Sequence, residues 1–158
     1  MAFLLKILAP ALSLALFAGP TVAQEMPISI EVDLKLEKSV VDADGNSRVE
    51  RVEPDLIVPG DRLVFGRIYR NSGPEAVPNF VVTSPVSSAV RLAPDADPSL
   101  VVSVDGGKSW GVLSALTVAA EDGSARPADH ADVTHVRWTL AMVAPGETGR
   151  LEFPAIIR

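Results

Sequence analysis

The sequence predicts an all-β protein, an antiparallel β-sandwich of about seven to nine strands. Three observations carry that prediction. Apolar residues alternate with polar ones in Ile28–Lys38 and again in Val133–Val143, the period of a strand with one buried face. Turn signals built on Pro, Gly, Asn and Asp punctuate the chain at short intervals. No stretch beyond the N-terminal leader sustains the 3.6-residue period of a helix. A closed barrel is the alternative architecture.

The first residues read as a secretory signal peptide. Lys6 precedes an apolar core, Ile7 to Ala18, and Thr21-Val22-Ala23 offers a cleavage site before Gln24. The rival reading is an uncleaved anchor, but the run is short for a bilayer span and Pro10 and Gly19-Pro20 break it. The expected organisation is a signal peptide at 1–23 and a single domain at 24–158, the latter opening on an N-terminal hairpin within 28–57. The chain carries a formal net charge of −6, and removal of Lys6 makes it more acidic. Such a field disfavours nucleic acid and anionic lipid as partners. There is no cysteine, so disulfides, lipoprotein anchoring, thiol catalysis and thiolate metal sites are excluded. The expected location is the bacterial periplasm or the medium beyond it, with no stable membrane insertion after cleavage.

Taken in order, Ile28, Ile30, Val32, Leu34 and Leu36 share one face of the first strand, and Ser29, Glu31, Asp33, Lys35 and Glu37 share the other. Asp44-Gly45-Asn46 is a hairpin turn, returning through Arg48–Glu53 with Val49 and Val52 out of phase, which suggests a bulge or a twisted edge. Val58-Pro59-Gly60-Asp61 is a type II turn that launches Leu63–Tyr69. There Arg67 falls on the face of Leu63, Phe65 and Tyr69. Either Gly66 marks a bulge that rotates it outward, or it must find a carboxylate. Asn71-Ser72-Gly73-Pro74 turns into Pro78–Thr83. Leu100–Val104 meets Asp105-Gly106-Gly107, Trp110–Val118 gives one strand or two short ones, and Glu121–Asp132 reads as a surface loop. Val136, Trp138 and Leu140 share a face. Ala144-Pro145-Gly146-Glu147 repeats the earlier turn, and Leu151, Phe153, Ala155 and Ile157 share a face of the last strand, where Pro154 suggests an edge or a late bulge.

The order of these motifs resembles the DUF11 family of bacterial extracytoplasmic immunoglobulin-like modules. The matching residues are Val58-Pro59-Gly60-Asp61, Leu63-Val64-Phe65, Asn71-Ser72-Gly73, Ala76 through Thr83, Ser103 through Gly107, and Val136-Arg137-Trp138 through Glu147. The resemblance covers 58–157 and implies an immunoglobulin-like sandwich outside the cytoplasm. It supplies no activity. Two positions depart from the pattern: Ser84-Pro85-Val86-Ser87 stands where the family often has Asp-Pro-x-Pro, and Arg67 stands where it prefers an apolar residue.

Candidate sites are few. Asp42, Asp44, Asn46 and Glu53 stand at calcium-loop spacing, but Ser47 replaces the glycine such a loop needs and the flanks read as strands. Ser103 through Trp110 fits the Asp-box hairpin of sialidase-like propellers, here in one copy and in too short a chain. Asp95, Asp97, Glu121, Asp122, Asp129 and Asp132 make two acidic loops, and His130 and His135 are the only histidines. No nucleophile elbow, phosphate loop or dinucleotide fingerprint is present, and no catalytic or cofactor-binding residue is assigned. The expected role is a non-catalytic exported envelope module that pairs an edge strand, Ile28–Leu36, with another envelope or surface protein. A calcium- or glycan-binding accessory domain and a small secreted hydrolase are the alternatives.

Overall fold

Alternating side chains form strands because each pleated face can then meet a single environment. The computed structural model describes residues 27–158; the expected leader at 1–23 lies outside them. Eleven strands run in this order: β1 (Ile28–Val41), β2 (Ser47–Val52), β3 (Arg62–Asn71), β4 (Val77–Pro85), β5 (Val90–Leu92), β6 (Val101–Ser103), β7 (Gly111–Val112), β8 (Thr117–Ala119), β9 (Ala125–Pro127), β10 (His135–Val143) and β11 (Thr148–Ile157). Five of them make one antiparallel sheet in the order β2-β1-β3-β11-β5, and four make the other, β4-β10-β6-β7. The two sheets pack face to face as a β-sandwich, and β8 and β9 form a separate ribbon. Among the described residues no helix is long and apolar enough to cross a membrane.

The two Pro-Gly turns lock the sandwich at both ends. Gly60 and Gly146 take φ of 95° and 77°, a region that an L side chain rarely adopts. Asp61 N–H donates to the Val58 carbonyl at 3.0 Å and Glu147 N–H to that of Ala144 at 3.0 Å. Each acidic side chain accepts the first N–H of its own turn, Val58 at 2.9 Å and Ala144 at 2.7 Å. The turn that feeds β3 bonds the end of β11, through Gly60 N–H to the Ile157 carbonyl. The turn that feeds β11 bonds the end of β3, through Gly146 N–H to the Asn71 carbonyl.

Phe153 stacks on Phe65 of the same sheet at 5.1 Å between ring centres and meets Trp138 of the facing sheet at 6.2 Å. Val102, Val136, Leu92 and Ala155 complete this cluster. A second, smaller cluster joins Ile28, Tyr69 and Val143, with Phe80, Leu140 and Leu151 against them.

Two expectations are corrected, and for β2 and Pro154 the structure decides between two alternatives. Glu121–Asp132 is not all loop, since Ala125–Pro127 pairs with Thr117–Ala119 across a turn at Gly123. Of the two readings for β2, the bulge is absent, since its register with β1 is continuous; β2 is the edge strand of its sheet, and Val49 is out of phase because it points to solvent. Gly66 makes no bulge either, for it pairs in register with Asp33 and Glu152. It leaves room for Arg150, whose guanidinium would lie 2.7 Å from a Cβ there. Pro154 stands where β11 is locally an edge: it pairs with Val64 on one side and has no β5 partner on the other. Its carbonyl accepts Ala93 N–H on the β5 side. The missing N–H therefore faces that same side, just past the ladder that begins at Ala155 and Leu92.

Candidate functional site

The contacts between the sheets show which strand faces which. Arg67 on β3 reaches Ser84 on β4, Phe153 on β11 reaches Trp138 on β10, and Val90 and Leu92 on β5 pack with Val102 on β6. The four-stranded sheet ends at β4, so among the described residues no strand stands opposite the middle of β1. Ile30 and Val32 are 45% and 69% exposed as a result. Both lie on the face expected to be buried; the alternation is present, but the covering layer stops short.

The strands that bound this flank are open as well. β1 pairs with β3 over Ile28–Glu37, but with β2 only over Leu36–Val41. The side of Ile28–Lys35 away from β3 therefore has no paired strand among the described residues. Among the described residues β4 pairs with β10 alone. Together these two edges present unpaired backbone groups along a gap floored by apolar side chains, which is what an added strand requires.

Arg67 sits at the back of the gap, in register between Val32 and Leu151. It was expected either to rotate outward or to meet a carboxylate, and it does neither. It donates to the Gly66 carbonyl at 2.8 Å and to Ser84 Oγ at 2.5 Å, and it makes no ion pair among the described residues. Desolvation pulls its guanidinium below the usual arginine range. Ser84 and Arg67 thus touch across the two sheets.

The outer face of the same sheet treats charge differently. Arg150 pairs with Asp33 and Glu152, Arg51 with Glu37 and Glu152, Arg62 with Glu37 and Asp95, and Lys35 with Asp33 and Glu53. Each such exposed pair contributes little to stability. Carboxylates thus flank Arg150, Arg51, Arg62 and Lys35, whereas Arg70 on the same face and Arg67 on the inner face have no ion pair among the described residues.

The calcium-like residues are not brought together. Asp42 Oδ1 accepts the backbone N–H groups of Asp44 and Asn46, at 3.0 and 2.9 Å, and so caps the hairpin turn; Glu53 pairs with Lys35 at the other end of β2. Asp105 is likewise committed. It accepts from Lys108 N, Ser109 N, Ser109 Oγ and Ser103 Oγ, and these bonds hold its carboxyl well below the usual carboxylate range. Trp110 closes that turn by donating to the Gly107 carbonyl, and Arg137 lies over its ring at 3.5 Å.

His135 meets Trp110 edge-on, and His130 lies apart on the rim of a recess of about 330 Å³. Asp132 pairs with Arg126 at 2.7 Å, Asp122 caps Ser124, and Asp97 caps Ser99. No group of three His, Cys, Asp or Glu among the described residues could hold a metal ion. The recess joins the two acidic loops, with Asp97, Asp129 and His130 above a floor of Leu92, Leu100, Val102 and Leu113. Its lining suits a small apolar group.

Sequence reasoning found β1 and noticed Arg67, but it missed that they share an open flank. The signal was a pair of rule violations in one sheet, an unpaired cation among apolar neighbours and a long strand with a short partner. No family model, no curated protein and no solved structure matches this chain.

Proposed function

We propose that the protein is a non-catalytic, exported cell-envelope module that acts by accepting a strand from another envelope or surface protein. The observation that carries this reading is the flank between β1 and β4. Among the described residues β1 and β4 each leave one side without a paired strand there, and Ile30 and Val32 lie exposed where a sandwich has its core. Export is supported by the leader-like residues 1–23 and the resemblance to DUF11 modules.

Strand addition fits the physics of such a site. Main-chain hydrogen bonds supply affinity, and alternate side chains dropping onto Ile30 and Val32 supply specificity. Burying two such side chains contributes roughly 3 kcal/mol from area alone, the scale of a transient or regulated interaction.

The test is site-specific photocrosslinking in intact cells. A photoreactive residue at Val32 is expected to join one defined partner segment, and the same segment is expected from Ile30. A photoreactive residue at Val112, on the far edge of the other sheet, should give none. Equal capture from Val112 and Val32, or none from Val32, contradicts the reading.

A further inference from the structure

From the uncompensated cation in the open flank we infer that the incoming strand carries a carboxylate, aimed at Arg67, between the apolar side chains that cover Ile30 and Val32. This rests on the reading of the flank as a strand-accepting site and names the chemistry of its occupant.

Two observations lead there. Arg67 lies on the inner face of the sandwich, in register between Val32 and Leu151, where the neighbouring positions are apolar. A guanidinium has five N–H donors, and among the described residues only the Gly66 carbonyl and Ser84 Oγ accept from this one. A desolvated cation without a counter-ion is unfavourable, and a carboxylate is the group that meets its planar fork with two parallel bonds.

Geometry supplies the place. Ser84 belongs to β4, the last strand of its sheet, and its side chain is buried facing Arg67. A strand added to the free side of β4 would lie opposite β1. The side chain directly across from Ser84 would then stand about 5 Å from it, beside the guanidinium. The inward positions on either side, two residues before and after, would fall over the exposed inner face of β1. The occupant thus reads as an extended segment with an apolar, acidic, apolar series at alternate positions. The acidic surface elsewhere on the module disfavours acids on its outward positions.

The probes are blocked synthetic peptides alternating Thr and Val, with the central Val replaced by Glu or by Gln. Binding to the purified protein is read by calorimetry at moderate salt. The Glu peptide is expected to bind about tenfold more tightly than its Gln twin, the scale of a charge-assisted pair. Arg67→Gln should erase that ratio, whereas Arg67→Lys should keep part of it. Should Arg67→Gln not fold, the unaltered protein still decides. Affinity for the Glu peptide must fall as pH drops through about 4.3, the ordinary glutamate range, while that of the Gln twin stays level.

Equal binding of the two peptides overturns the carboxylate inference and leaves the strand-accepting reading standing. Binding of neither overturns both. A concentration-dependent dimer that shuts out the Glu peptide would give the place to a second copy and overturn the assignment of an acidic partner strand.

Discussion

Phe153→Ala is expected to destabilise the protein by about 3–5 kcal/mol, the largest single loss available in the core. Phe153 is 1% exposed, stacks on Phe65 and meets Trp138 across the sandwich, so it links both layers. Truncation removes the transfer free energy of the ring and leaves a cavity between sheets that cannot close without moving whole strands. A domain of this size has total stability of about 5–15 kcal/mol, so the variant should melt at least ~10 °C lower and lose a large part of its denaturant tolerance. Phe153→Leu, which keeps most of the volume, should lose far less. Chemical denaturation followed by Trp138 fluorescence measures both. Equal stability of Phe153→Ala and the unaltered protein would mean that the sheets do not meet at this residue.

The second large effect is expected at Asn71, a buried polar residue that ties three segments together. Its amide nitrogen donates to the Glu75 carbonyl at 2.8 Å and to the Val143 carbonyl at 3.0 Å, and its Oδ1 accepts Gly73 N–H at 3.0 Å. Its backbone pairs with Glu147 and Gly146 of the second Pro-Gly turn. Asn71→Ala leaves those groups without partners and should cost about 2–4 kcal/mol, because an orphaned buried group loses its full solvation. Asn71→Asp should cost at least as much at neutral pH, since a carboxylate would face two carbonyl oxygens with nothing to donate. The introduced acid is disfavoured in its charged form, so its folded pKa lies above the unfolded one. The loss should therefore lessen as pH falls through the carboxylate range, where the protonated acid regains one donor. Thermal melts across pH read this directly. A loss that ignores pH would show that the side chain does not face the carbonyls.

How much of this was legible in the sequence follows from what each signal can report. The twin turns were legible because Pro-Gly at those positions has few conformations to adopt, and φ at Gly60 and Gly146 agrees. The inward residues of β10 and β11 were legible because alternation specifies a face. Alternation does not report whether a second layer lies over that face, so Ile30 and Val32 gave no sign of their exposure. Ala125–Pro127 was hidden for the opposite reason. It has no large apolar residue and a proline, and it pairs only because the turn at Gly123 brings it beside Thr117–Ala119.

The candidate site divides along the same line. The violation at Arg67 was visible as a charge in an apolar series, but its neighbours were not, since Ser84 approaches from the other sheet. The spacing that put Asp42 and Glu53 in one calcium-like loop assumed a continuous loop. The hairpin instead separates them by the length of β2, and Lys35, across the ladder on β1, takes Glu53. Pro154 was read as an edge marker because a central strand normally needs each N–H. It is tolerated in β11 because its nitrogen faces the side where β5 has not yet begun to pair.

The open flank is the claim on which function and partner chemistry both depend, and amide hydrogen exchange of the purified protein without a partner tests it most directly. Alternate amides of Ile28–Lys35 and of Val77–Pro85 should exchange fast, and those between them, bonded to β3 or β10, should be protected. Continuous protection along both strands would mean that the gap is already filled, and would contradict the account.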